Sequence, residues 1–324
     1  MGIIKSGKLS INQLEEIIFK NLGYERDDII TRPFVGQDCG CFLGNEDIIT
    51  VTSDPITATS EDMGRLAVIV NLNDIATSFA TPLAITVTIL APVGTTQEEI
   101  KKLMSDISDE CIKNKVQIIG GHTEVTSAVN KMIVSITAFG RIEKGKFNSI
   151  SKVHSGQKIY MSKSISLEGI MIIVKEKKEE LKNVLSQEEI QRAENFYDEL
   201  SVAKDAYVLR NKDISFLHDV TEGGLFGAIY EMMRYCNKGC VINYNDIKIN
   251  NITRKVCDYY KIDATRLISS GCMLIITDDI LEEEIDGVSF TQIGVVTDED
   301  MIFIKDGKTI TITEPDSDAI YEVL

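Results

Sequence analysis

An acidic residue placed where a strand gives way to a glycine pair and a helix can hold an anion, or the metal ion that accompanies one. His218 to Met232, HDVTEGGLFGAIYEM, has that form. The apolar run Ile214 to Leu217 reads as the strand, and Leu225, Ile229, Met232, Met233 and Cys236 recur at helical spacing. Thr221 is the expected N-cap. Gly223 and Gly224 put no side chain in a ligand's way, and the first-turn amides carry about half a positive charge, which favours phosphate. Asp219 is then a hard oxygen ligand suited to Mg2+. The same residues would also serve an ordinary helix cap after a tight turn.

Three further groupings carry similar chemistry. The helix expected over Glu61 to Ala80 is almost entirely apolar, yet Asn71, Asn73 and Asp74 interrupt it. Burying an amide and a carboxylate costs several kcal/mol unless they are bonded, paired or on a metal; the alternative is a wet helix face. Gly120-Gly121-His122-Thr123-Glu124 follows a strand expected at Val116 to Ile119, so its glycines would let a backbone approach a ligand while His122 and Glu124 offer metal-ligand or general-base groups. Gly36-Gln37-Asp38 is a turn with an acid ahead of a strand. By contrast, Gly2 to Leu9 only nearly spells a P-loop, because Leu9 stands where a Ser or Thr is needed.

The elements that must position these groups follow from the pattern. Ile48 to Ser53 reads as a strand ending at Asp54-Pro55, Leu83 to Leu90 alternates as a half-buried strand, and Thr96 to Glu99 is a capping box for a helix with Ile100, Leu103, Met104, Ile107 and Cys111 inside. A strand at Met132 to Gly140 follows. The order strand, helix, strand, helix, strand, strand describes an α+β layer with helices on one face. A polar passage after Gly145 places a domain boundary near residue 150. Beyond it come a strand at Lys158 to Ser162, two charged helices between Leu167 and Arg210, the opening motif and shorter strands to Ile312.

At 324 residues the chain exceeds one ordinary core, so two domains are expected. A net charge of -16 argues against nucleic acid and anionic membrane as partners, since those are bound through Lys and Arg. A phosphate-rich ligand would need local cations or helix N-termini against that field. The chain shows no signal-type apolar run and nothing near the ~20 apolar residues of a membrane span, so a cytoplasmic protein is expected. Seven cysteines without paired spacing fit neither a disulfide framework nor a zinc site. Cys39 and Cys41 are expected on opposite faces of a strand.

In the order GQDCG, TSDPIT, NLNDIATSFATP, GGHTEV and HDVTEGG, the chain resembles the aminoimidazole ribonucleotide (AIR) synthetase superfamily. That superfamily also includes thiamine-monophosphate kinase, selenophosphate synthetase and the hydrogenase maturation factor that dehydrates a carbamoylated cysteine. GKLS, GGHTEV, SLEG (Ser166 to Gly169) and HDVTEGG look most like the hydrogenase-maturation branch. The resemblance runs from Gly7 to about Val296.

It implies an α+β fold of AIR synthase type. A ferredoxin-like N-terminal domain (1–150) would bind ATP and dimerise through its sheet, and a C-terminal α/β sandwich domain (151–324) would complete the site. It implies ATP and Mg2+ as cofactors, with Asp38, Asp54, Asp74 and Asp219 holding metal. Asn73, Asp74, Gly120, Gly121, Thr123, Gly223 and Gly224 would lie against the nucleotide, and Asp54, Asp219 and His122 would act in catalysis. The implied activity is ATP-dependent activation of an oxygen, or phosphoryl transfer, on a small-molecule substrate. A non-catalytic ATP-binding assembly factor and a thiamine-monophosphate kinase are the alternatives. The implied partners are a second copy of the chain and a metalloenzyme-maturation protein. Two features depart from the branch: its acceptor cysteine at the tail has no counterpart in Ala319 to Leu324, so dehydration on its own tail is not expected, and His122 stands where several relatives have Asp or Glu.

Overall fold

The structure is a computed structural model, and it describes residues 9–31, 33–57, 62–143, 152–314 and 317–324. Most of the near-P-loop, the predicted helix start at Glu61 and the boundary near residue 150 fall outside the described residues.

After a capped turn, α1 (Ile11–Gln13), the N-terminal half builds a sheet from β1 (Gly40–Leu43), β2 (Asp47–Ile56), β3 (Thr81–Pro92), β4 (Gln117–Thr126) and β5 (Ile133–Glu143), in the order β1-β2-β5-β3-β4. Helices α2 (Met63–Thr77) and α3 (Gln97–Asn114) follow β2 and β3. The α3 capping box forms as expected, with Thr96 and Glu99 each bonding the other's backbone N–H. Because α3 carries the chain back parallel to β3, β4 takes the outer edge, and β5 inserts between β2 and β3, antiparallel to both. This β-β-α-β-α-β-β sequence corrects the ferredoxin-like expectation, which requires β-α-β-β-α-β.

The glycine pair in GGHTE also differs from expectation. It is not a turn after a strand but lies within β4, at a register shift against β3. A Cβ on Gly121 would sit 2.0 Å from the Val87 carbonyl oxygen, so the glycine is needed for the close approach of two backbones.

Helix α2 is the element that joins the halves. Met63, Ala67, Val68, Leu72 and Ile75 enter the core of the N-terminal sheet, while Leu66, Ile69 and Val70 enter the core of the C-terminal half. A helix gripped on both sides must be apolar all round, which is why the run read as unbroken. Cys39 and Cys41 are both buried in the N-terminal core; two positions apart, they share a face, contrary to the expectation.

The C-terminal half is a mixed sheet of β6 (Lys158–Ser162), β7 (Ile214–Asp219), β8 (Gly239–Asn243), β9 (Met273–Thr277), β10 (Glu284–Ile285), β11 (Val288–Thr297), β12 (Met301–Lys305) and β13 (Lys308–Thr311). Its order is β13-β12-β8-β11-β6-β9-β7, with β10 beside β11 and only β8 and β12 parallel. β9 is buried along its whole length because helices cover both faces. The region read as two charged helices is α4 (Leu167–Glu176), α5 (Lys178–Leu181), α6 (Gln187–Glu194) and α7 (Ala203–Leu209). Leu167 to Val174 is buried throughout, so α4 is a core helix. Helices α8 (Gly224–Cys236) and α9 (Asn251–Tyr260) complete this half. No described helix is long and apolar enough to cross a membrane.

Candidate functional site

Four carboxylates far apart in sequence meet at the seam between the halves. Asp38, Asp54, Asp74 and Asp219 all line one cavity of about 1430 Å³. Asp54 lies at the end of β2, on the same strand face as Thr50 and Thr52, which are buried toward α2. Its backbone is tied there by Asn71 of α2, whose Oδ1 accepts from the Asp54 N–H at 2.9 Å. Asp74 projects from α2 toward the cavity and accepts from the Thr52 hydroxyl at 2.5 Å. Asp219 ends β7, paired with Met273 of β9.

Asp38 is set by contacts across the seam. The loop that carries it rests on α8 so closely that a Cβ on Gly36 would meet the Glu231 carbonyl oxygen at 2.6 Å. Gly36 also has φ +80°, so glycine is required twice over. Tyr235 of α8 donates to Gln37 and packs on Phe34 and Phe216, with ring centroids 5.6 and 5.3 Å away. His218 Nδ1 lies 2.6 Å from Asp38 Oδ1, and its Nε2 lies 3.5 Å from Glu231 Oε2.

The electrostatics follow from this crowding. Burial, then the carboxylates of Asp219, Asp54 and Asp38, hold the Asp74 carboxyl well above the usual carboxylate range against the opposing Thr52 hydrogen bond. Burial alone would push the His218 imidazole down; Asp38 and Glu231 outweigh it and hold the ring well above its ordinary value. Ligand atoms of Asp38, His218 and Asp219 lie within 4.8 Å of one another. A hard oxygen-rich set of this kind suits Mg2+, and a cation among the acids would offset their mutual repulsion.

The glycine-rich turn behaves differently from the expectation. Gly223, not Thr221, is the N-cap of α8. The Gly223 N–H donates to Asp318 Oδ2 at 2.7 Å, and Asp318 Oδ1 accepts from the N–H groups of Ile268 and Ile320. The chain's own carboxylate thus takes the place at the helix start that was reserved for phosphate. Gly223 lines the cavity, whereas Gly224 packs on the backbone of Thr265 and Arg266.

Several other predicted residues are not gathered at the cavity. Asn73 accepts from the Val202 N–H and donates to the Leu200 carbonyl, both at 2.9 Å, and so clamps α2 to the segment ahead of α7. Gly120, Gly121, His122 and Thr123 lie on the exposed edge strand β4, where His122 Nε2 faces Glu124 Oε2 at 3.1 Å. Cys39, by contrast, does line the cavity, but its thiol donates to the Asp74 carbonyl at 3.1 Å and burial pushes it well up, so it is a protonated core group.

Sequence reasoning missed the roles of His218, Glu231, Thr52, Asn71 and Asp318. His218 stands next to Asp219, which was a usable signal. Glu231 lies two turns into α8 and Asp318 comes from a remote segment, and neither carries a local mark.

Residues 36–142 match the family AIR synthase related protein, N-terminal domain, and residues 154–307 match AIR synthase related protein, C-terminal domain. The chain belongs to the AIR synthase related family. Within it, the chain is similar to a protein of Methanocaldococcus jannaschii named for hydrogenase expression and formation, with 28% identity over 282 residues, 82% of this chain and 78% of that protein. The fold superposes on the crystal structure of a HypE-HypF complex with a TM-score of 0.75 at 20% identity, covering 94% of this chain and 99% of the other. It matches AaThiL complexed with AMPPCP and TMP equally well, with a TM-score of 0.75 at 16% identity, covering 95% and 96%.

Proposed function

We propose that this chain binds Mg·ATP in the acidic cavity at the seam and uses it to activate an oxygen of a small substrate or to transfer a phosphoryl group to it. The observation that carries the reading is the convergence of Asp38, Asp54, Asp74 and Asp219 from both halves of the chain on one cavity. When bound, Mg2+ supplies positive charge to the phosphates, which lets a protein of net charge -16 hold a polyanion. Asp54 and Asp219, from opposite sides of the seam, would orient the ion; Asp38 and Asp74 would complete its shell. Catalysis by this set is positioning and charge compensation, without a protein nucleophile.

The working unit of this reading is a homodimer. Among the described residues the N-terminal sheet has helices on one face only, and Ile49, Val51, Leu90, Ile133 and Phe139 on the other are just half-buried. Edge strand β4 exposes Ile119 and Val125 beside His122 and the glycine pair. Pairing two copies over this face would bury that apolar surface, and His122, Gly120, Gly121 and Thr123 would then act at the subunit boundary. The likeness to a hydrogenase-formation protein and to the HypE-HypF complex supports a role in metalloenzyme maturation with a protein partner. The equal likeness to AaThiL complexed with AMPPCP and TMP favours a small-molecule kinase as the second reading.

Calorimetric titration with ATP, with and without Mg2+, on the wild type and Asp219→Asn, tests the site, and the same samples assayed for ADP and AMP test the activity. Mg2+-dependent binding lost in the variant is the expected result. ATP bound equally by both proteins would overturn it, and release of ADP only with thiamine monophosphate would select the kinase.

A further inference from the structure

We propose that His218 is itself a metal ligand, through Nδ1, so that the centre that takes Mg2+ also takes a first-row transition dication such as Mn2+, and holds it more tightly. This rests on the reading of the cavity as a metal centre and adds a nitrogen ligand to it. Three observations carry it.

The donor atoms of Asp38, His218 and Asp219 lie within 4.8 Å of one another. Ligands on opposite sides of an ion at roughly 2.1 Å bond lengths are about 4.2 Å apart, so one ion reaches all three with small side-chain movements. Nδ1 and Asp38 Oδ1, now 2.6 Å apart, would become neighbouring ligands of that ion.

The far side of the ring supplies the second observation. Metal-bound histidines donate their other ring N–H to a carboxylate, which fixes the tautomer. Nε2 faces Glu231 Oε2 at 3.5 Å, with the Glu231 backbone pinned beneath Gly36. Glu231 thus stands where that supporting carboxylate is required. The third observation is an unpartnered nitrogen in a buried ring: the side chain is 5% exposed, Nδ1 meets only Asp38, and Nε2 makes no hydrogen bond.

Chemically, the ion takes the place of the proton on Nδ1, which leaves to solvent, and no electron changes hands. An imidazole ligand shifts preference from Mg2+ toward the first-row series, in which affinity rises from Mn2+ to Cu2+.

Mn2+ is the probe. Pulsed EPR on wild-type protein carrying 15N-histidine is expected to show a directly bound nitrogen, with the 14N modulation of unlabelled protein replaced. The His122→Gln and His154→Gln variants should retain the signal and His218→Gln should lose it. His218→Gln is expected to weaken Mn2+ at least tenfold while changing Mg2+ much less, and Glu231→Gln to weaken Mn2+ by about 10- to 100-fold. Mn2+ bound without nitrogen coupling in the wild type overturns the proposal even if His218→Gln fails to fold, and so does absence of Mn2+ binding. Nitrogen coupling without ATP turnover would sink the enzymatic reading and leave this one standing; turnover without nitrogen coupling would do the reverse.

Discussion

Replacing Glu168 by Gln should remove most of a pH dependence that the wild-type protein carries in its own core. Glu168 opens α4 with 4% of its surface exposed, and its Oε2 has no hydrogen-bond partner. Burial, reinforced by Asp318 and Glu222 and opposed by the nearby polar groups of Ser270, raises its carboxyl from 4.5 to about 7. The folded state therefore keeps this proton longer than the unfolded chain. Its contribution is fully present below the unfolded value and is lost as pH rises through about 7. A shift of this size corresponds to about 3 kcal/mol over the full range, of which about 2.5 kcal/mol falls between about pH 5 and pH 8. Urea unfolding of wild type and Glu168→Gln at those two pH values measures it, because all other titrations cancel in the difference. The variant should gain about 2.5 kcal/mol on the wild type between them. A difference constant to about 0.5 kcal/mol would refute the argument, since a Glu168 that ionises normally has no such term.

Asn73→Ala should destabilise the fold by about 2–5 kcal/mol, because the buried Val202 N–H and Leu200 carbonyl each lose their partner. Its Mg·ATP affinity, measured on the folded protein, should remain within a few-fold of wild type, as the side chain faces the α7 segment and not the cavity. Asp74→Asn should act in the opposite sense. In metal-free buffer near neutral pH it relieves the repulsion of three neighbouring carboxylates and raises the melting temperature, while the stabilisation that Mg2+ gives the wild type shrinks or vanishes. A variant that melts lower and still responds to Mg2+ would show that Asp74 is a structural acid.

The periodic parts of this chain were readable because periodicity reports burial directly. The alternation over Leu83 to Leu90 and the capping box at Thr96 marked β3 and α3, and the apolar run with Asn73-Asp74 marked α2 as a helix whose polar groups needed a reason. What that reason was could not be read. Asn73 and Asp74 are neighbours in sequence, yet successive helical positions point about a quarter-turn or more apart, so one clamps backbone and the other faces the cavity. Gly120-Gly121 misled for a similar cause. A glycine pair signals a close approach but does not say of what, and at Gly121 the Val87 backbone makes that approach. Asp318 left no trace, since its partners at Gly223 and Ile268 are 95 and 50 residues away.

The placement of the acids at a seam has a consequence for how such a site can work. Each half taken alone holds only part of the carboxylate set, and the shared helix α2 fills the contact between them with Leu66, Ile69 and Val70 on one side and Ala67, Val68 and Leu72 on the other. The apolar burial along α2 is what offsets the cost of bringing Asp38, Asp54, Asp74 and Asp219 together. Removing a single large aliphatic from it costs about 2–5 kcal/mol. A cation that bound the assembled acids and not the unfolded chain would stabilise the fold by mass action, about 2.7 kcal/mol when present at a hundred times its dissociation constant. The His218–Asp38 pair, which reaches from the C-terminal sheet to the N-terminal loop, ties one of those acids across the seam.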